Sequence, residues 1–150
     1  MKIAIFSDLH DNLNNWQKFY NYINKEKIKL ILFTGDLTSQ SSFKRIKRDF
    51  KDKVFFVSGN ADLFTSSELP EIQSIEIDNL KIALTHLPTK AKELSNNNNF
   101  DFIFYGHTHK PWIDKINKTY LVNPGSLNEL INPTFAILNT LNKNIKLISL

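Results

Sequence analysis

The stretch FYGHTHKP, residues 104–111, sets His107 and His109 two positions apart directly after an apolar run. The chain has only four histidines, and the other two occupy the same kind of place. MKIAIFSDLH closes on Asp8 and His10, and LKIALTH closes on His86. Two further apolar runs lead into Asp36 (ILFTGD) and into Asn60 and Asp62 (VFFVSGNAD). Imidazole nitrogen, carboxylate oxygen and one amide oxygen suit borderline divalent ions such as manganese, iron, zinc or nickel; calcium or magnesium would favour oxygen throughout. Singly, each residue has a plainer use. Asp11 or Asn12 could start a helix, Asp36 could do the same, and a lone loop histidine is ordinarily a hydrogen-bonded or exposed side chain. What points to a metal is the conjunction, with all four histidines placed after buried runs.

Such runs must be strands that deliver their ends to one edge. Ile3–Phe6, Leu30–Phe33 and Val54–Val57 are short and apolar throughout, as strands covered on both faces are. Between them Leu13, Trp16, Phe19, Tyr20 and Ile23, and then Phe43, Ile46 and Phe50, recur at helical spacing. That alternation predicts parallel strands with right-handed helical crossovers and a ligand edge at the strand C-termini. Extended residues at i and i+2 share a side, so Asp8 with His10, and His107 with His109, are expected to present two donors each to a common cleft. Gly35, Gly59 and Gly106 precede candidate ligands, where a missing side chain lets donors crowd together.

The second half changes character. Ile75–Ile77 and Leu80–Leu84 flank Asp78-Asn79 as a hairpin, a short helix is expected from about Thr89 to Leu94, and the tract from Ser95 through Asn99 is expected to be loop. Phe102–Tyr105 enters the sheet, and Trp112–Ile116 with Tyr120–Val122, then Phe135–Asn139 with Ile145–Ser149, predict antiparallel pairs. Trp16 and Phe19 are assigned to the core, Trp112 is expected to be buried, and Asp62 is expected to be an exposed loop carboxylate. Asn123-Pro124-Gly125-Ser126 predicts a tight turn that supports the site indirectly.

Composition narrows the class. A chain of 150 residues, 41% hydrophobic and 23% charged, fits one globular domain over 1–150. Zero cysteines exclude disulfides, zinc-thiolate sites and thiol nucleophiles, and fit a reducing compartment. With no signal-peptide core and no apolar stretch of spanning length, a cytoplasmic protein without a membrane partner is expected. The net charge of +4 comes from scattered lysines, apart from Lys44, Arg45, Lys47 and Arg48. At helical spacing that cluster is a solvated face, which argues against nucleic acid as the partner. Homo-oligomerisation is left open.

In the order SDLH, TGDL, SGNAD, TH and YGHTH, with NPGS following, the chain resembles the calcineurin-like metallophosphoesterases, and within them the compact YfcE-type phosphodiesterases. The likeness spans essentially the whole chain. It implies a four-layer αββα sandwich, mixed sheets with helices on the outer faces. It also implies two metal ions, one held by Asp8, His10, Asp36 and His109 and the other by Asp36, Asn60, His86 and His107, with manganese first and nickel, iron or zinc as alternatives. These seven residues would act through the metals, with no side-chain general acid. Two cations about 3.5–4 Å apart make a bridging hydroxide and clamp the phosphoryl group for in-line displacement, so hydrolysis of a small phosphodiester, such as a nucleotide ester, is expected. Two positions depart from the pattern. Ala61 stands where many relatives carry a histidine that protonates the leaving group, and Leu87-Pro88 follows His86 where a glycine is usual. Two other functions fit the same fold: a non-catalytic scaffold similar to the retromer subunit, and a nuclease resembling the metallophosphoesterase repair enzymes.

Overall fold

A computed structural model describes residues 1–63, 69–97 and 99–150. Two five-stranded sheets lie face to face. The first takes β1 (Lys2–Phe6), β2 (Leu30–Phe33) and β3 (Val54–Phe56), with helices α1 (Leu13–Lys25) and α2 (Gln40–Phe50) as the crossovers. After β4 (Ile72–Ile77) and β5 (Leu80–Thr85) come α3 (Pro88–Ser95), β6 (Phe102–Phe104), β7 (Trp112–Ile116), β8 (Thr119–Asn123), β9 (Thr134–Asn139) and β10 (Asn144–Ser149). The strand orders are β10-β9-β1-β2-β3 and β4-β5-β6-β8-β7. Parallel strands run β1-β2-β3 out to one edge of the first sheet and β5-β6-β8 through the centre of the second, while β9, β10, β4 and β7 pair antiparallel.

The apolar runs have two jobs, which is why they show no alternation. In β1, Ile3 and Ile5 face the second sheet and join Ile82, Leu84, Phe102, Phe104 and Val122 in the layer between the sheets. Ala4 and Phe6 face the helices and join Trp16, Phe19, Ile23, Phe43 and Ile46. Phe6 has no solvent exposure and packs its ring 4.8–5.6 Å from those of Phe33, Phe19 and Trp16. Burying one such side chain contributes about 1.5–3 kcal/mol. A third cluster of Ala83, Ala91 and Ile103 seats α3 on the far side of the second sheet, which completes four layers.

Local chemistry sets the helix starts. Asn12 caps α1 by accepting from the backbone N–H of Asn15 (3.1 Å), Ser39 caps α2 by accepting from Ser42 (3.2 Å), and Pro88 opens α3, where the missing N–H would have had no partner anyway. Asp36 caps nothing. Asp11 instead collects the hydroxyls of Thr38 (3.1 Å), Ser39 (2.5 Å) and Ser42 (2.5 Å). Of the asparagine tract, Asn96 and Asn97 turn out of α3, and Asn98 lies outside the described residues. Trp112 corrects its expected burial: it begins the edge strand β7 and is 60% exposed, because among the described residues no further strand pairs beyond it. Among the described residues no helix is long and apolar enough to cross a membrane.

Candidate metal centre

The C-terminal ends of β1, β2, β3, β5 and β6 all open on one edge of the sandwich, and the seven candidate ligands stand there. Five of the seven have backbones that are not extended. Asp8 (φ +51°), His10 (+44°), Asp36 (+65°), His107 (+71°) and His109 (+58°) all adopt the left-handed region, where non-glycine residues are uncommon and cost of the order of 1–3 kcal/mol each. The expected i, i+2 geometry is therefore corrected: tight left-handed turns aim these side chains. Hydrogen bonds between the loops hold the turns, from Asp8 N to Gly35 O (2.9 Å), His10 N to Asp36 O (3.1 Å) and His107 N to Asp8 Oδ2 (3.1 Å). At Gly59 a Cβ would lie 2.0 Å from Asp36 Oδ1, and at Gly106 one would lie 2.0 Å from Ser7 Oγ and 2.7 Å from Asp8 Oδ2. The loops approach too closely there for any side chain.

The side chains fall into two groups. His10 and His109 form one ring pair, centroids 5.5 Å apart, and His86 and His107 form the other at 5.2 Å. His109 Nε2 lies 3.2 Å from Asp8 Oδ1, and His10 Nε2 lies 3.8 Å from the same oxygen and 3.7 Å from Asp36 Oδ2. On the other side His86 Nε2 lies 3.4 Å from Asp36 Oδ2 and 3.0 Å from Asn60 Oδ1, which His107 Nδ1 meets at 2.9 Å. Asp36 Oδ2 thus faces both groups. Donor atoms of Asp8, His10 and His109 converge within 4.8 Å of one another, as do those of Asp8, Asp36 and His86. His107 and His109, neighbours in the chain, part company to serve different groups.

Whether these donors suit a cation is answered by atoms without partners. Asp8 Oδ1 and His10 Nε2 are buried, and among the described residues neither has a hydrogen bond. Asp8 is wholly buried and Asp36 nearly so, whereas Asn60 and His107 reach solvent at the rim. Buried carboxylates without donors are costly unless a charge pairs with them. The same carboxylates act on two of the imidazoles beside them. The Asp8 carboxylate raises His10 above the ordinary 6.5, with burial opposing and Asp36 adding to the rise. Burial alone would lower His86, but Asp36 and Asp8 outweigh it and the net shift is upward. Burial would raise Asp36, but His86 and the Ala61 N–H (2.8 Å from Oδ1) hold its carboxyl below the usual 3.8.

Residues behind the ligands complete the site. His86 directs Nδ1–H to the Thr34 carbonyl (2.8 Å), which turns Nε2 toward Asp36. At the departure after His86, Leu87 is extended and Pro88 opens α3. Asp62 corrects the expectation of an exposed carboxylate. It is 1% exposed and accepts from the backbone N–H groups of Asp36 (2.8 Å), Leu37 (2.7 Å), Thr38 (2.9 Å) and Gly59 (2.8 Å), tying the loop after β2 to the loop after β3. Glu129 Oε1 accepts from His109 Nδ1 at 3.1 Å. In the NPGS turn, Asn123 Nδ2 donates to Gly106 O (2.8 Å) and Ser126 Oγ to Asp8 O (3.0 Å), the indirect support expected of it. Beside Asn60 and His86 a cleft of about 200 Å³ opens between Ser58, Glu71, Leu87 and Lys90.

Residues 1–143 match the profile of the calcineurin-like phosphoesterase superfamily domain. The chain belongs to this superfamily. Its arrangement of two mixed sheets with outer helices is the calcineurin-like metallophosphoesterase fold. Phosphodiesterase MJ0936 of Methanocaldococcus jannaschii is 27% identical, with 97% of each chain aligned. The solved structure of an archaeal phosphodiesterase superposes on all of both chains with a TM-score of 0.85 at 29% identity. Vps29 of Chaetomium thermophilum shares the fold alone, with a TM-score of 0.77 at 20% identity over 100% of this chain and 97% of its own. The compact phosphodiesterase branch suggested by the motifs is the one these relatives support.

Two expectations follow from this superfamily site. Asp62→Asn, which sets an amide NH₂ against backbone donors, should cost about 2–4 kcal/mol in urea unfolding of the chelator-stripped protein and weaken divalent binding; a loss under about 0.5 kcal/mol would contradict its role. The second concerns pH. His10 and His86, raised, stabilise the cation-free protein fully below about pH 6.5 and lose that contribution as pH rises through their folded values; Asp36, lowered, contributes above about pH 3.8 and loses it as pH falls through its folded value. A cation must displace the imidazole protons, so urea midpoints with Mn²⁺ and with chelator should diverge steadily from about pH 5.5 to 8.5. Parallel curves would contradict the competition.

Proposed function

We propose that the chain is a single metallophosphoesterase domain over residues 1–150 that hydrolyses small phosphodiesters with two divalent ions, manganese foremost and nickel, iron or zinc as alternatives. The supporting observation is that two buried atoms, Asp8 Oδ1 and His10 Nε2, have no hydrogen bond among the described residues at the meeting of two histidine pairs. Asp8, His10, Asp36 and His109 are assigned to one ion and Asp36, Asn60, His86 and His107 to the other. When bound, divalent cations supply Lewis acidity toward phosphoryl oxygens and a water that ionises near neutral pH.

The chain's own residues set the polarity of the site. Only Asp8 and Asp36 among the seven ligands are anionic, and Asn60 donates without adding charge, so two divalent ions leave an excess of about two positive charges that attracts a phosphate ester. The cleft between Ser58, Leu87 and Lys90 abuts Asn60 and His86 and has room for one ester arm. The names of MJ0936 and the archaeal structure, both phosphodiesterases, agree with this reading. The intact ligand set argues against a purely scaffolding role. A cytoplasmic setting fits the absence of cysteine.

At position 61 the methyl of alanine has no ionisable proton to give. Its N–H is engaged with Asp36 Oδ1, so the residue after Asn60 positions a ligand and donates nothing to a leaving group. Lack of a general acid costs about 10²–10⁴ in rate, most on poor leaving groups. The stripped protein given Mn²⁺ should therefore turn over an aryl diester, bis(4-nitrophenyl) phosphate, far faster than alkyl esters. Ala61→His should raise the alkyl rate selectively, and Asp36→Asn or His107→Ala should abolish most turnover. Turnover of the diester that survives exhaustive chelation would overturn the proposal.

A further inference from the structure

The four imidazoles differ in what stands behind them. His86 turns Nδ1 to a neutral acceptor, the Thr34 carbonyl at 2.8 Å. His107 uses Nδ1 itself toward Asn60. His109 alone among these histidines, within the described residues, has a carboxylate behind its ring, Glu129 Oε1 at 3.1 Å, while its Nε2 faces Asp8 Oδ1 at 3.2 Å.

Glu129 is held there by the rest of the chain. Asn15 Nδ2, buried on α1, donates to the carbonyls of Leu127 (2.8 Å) and Glu129 (2.9 Å). Leu127 N bonds Ser7 O (3.1 Å), and Asn128 N bonds Asp8 O (3.0 Å). The segment that carries Glu129 is thereby laced to the segment that carries Asp8, and any shift of one moves the other. A carboxylate on the far nitrogen of a ligating imidazole fixes the tautomer, orients the ring and strengthens its donor character.

The charge is therefore unequal between the two halves. The half built on Asp8, His10 and His109 has Asp8 as its own anion and Glu129 one ring away, besides the shared Asp36. Among its assigned ligands, the half built on Asn60, His86 and His107 has one anion, the shared Asp36, and a neutral amide. We infer that Glu129 is a positioning residue that makes the dinuclear centre load in order, the Asp8–His10–His109 half taking a divalent cation first and more tightly because a carboxylate stands behind His109. This rests on the two-ion reading above, and nothing in the sequence motifs marks Glu129.

The test is a calorimetric Mn²⁺ titration of the chelator-stripped full chain, with free Mn²⁺ counted by electron paramagnetic resonance. The wild type should bind in two steps, and Asn60→Ala should remove or weaken the weaker one, which assigns the tighter step to the Asp8 half. Glu129→Gln should lower the affinity of the tighter step by about 10–100-fold and leave the weaker step in place, and Glu129→Asp, which keeps the charge, should recover part of the loss. A melt in chelator checks that each variant is folded; if Glu129→Gln is not, the Glu129→Asp titration decides, with a weakened tighter step expected and an unchanged one contrary. Two steps that Glu129→Gln leaves untouched, or lowers equally, would overturn the inference while sparing the two-ion reading. A wild type that binds no Mn²⁺ would sink both.

Discussion

Two carboxylates buried at the mouth of a sandwich, with too few donors to satisfy them, govern this molecule. Asp8 is wholly enclosed and one of its oxygens has no hydrogen bond among the described residues; Asp36 stands beside it, engaged by Ala61 N–H on one oxygen and by histidines on the other. Anions removed from water in this way demand a compensating charge. Their field shows in the upward shifts of His10 and His86, against the burial that would lower both. The surrounding structure can be understood as what keeps the carboxylates close in spite of their repulsion.

That restraint comes from three levels. The two apolar layers fix five strand ends along one edge. Between the ends, left-handed turns and backbone bonds such as Asp8 N to Gly35 O zip the loops together, and Gly59 and Gly106 permit a separation that a methyl group would forbid. Asp62, Asn123, Ser126 and Glu129 then tie the loops to one another from behind. The strain of several non-glycine residues at positive φ is borne at the site because the packed sheets beneath cannot yield.

The strands and helices were legible because their apolar runs are long relative to their polar breaks, and Leu30–Phe33 and Trp112–Ile116 match to the residue. All seven candidate ligands stand shortly after those runs, and that placement singled them out. What was hidden acts across long separations. Glu129 reaches His109 from twenty residues away, through a loop with no periodicity to announce it. Asp62 was visible as a residue but its burial was not, since that depends on how the β2 and β3 loops fold over it. The i, i+2 rule failed because the backbone leaves the extended region at Asp8, His10, His107 and His109, and His107 and His109 turn to different groups. Trp112 was misjudged because position in a sheet, at the edge and uncovered, is set by strand order and not by residue type.

Anomalous diffraction at the manganese edge, from crystals grown with Mn²⁺, addresses the central claim most directly. Two peaks are expected, one enclosed by Asp8, His10, Asp36 and His109 and the other by Asp36, Asn60, His86 and His107, with Asp36 common to both. Crystals grown with ample Mn²⁺ that show no peak between Asp8 and Asp36, and these side chains turned apart, would contradict it.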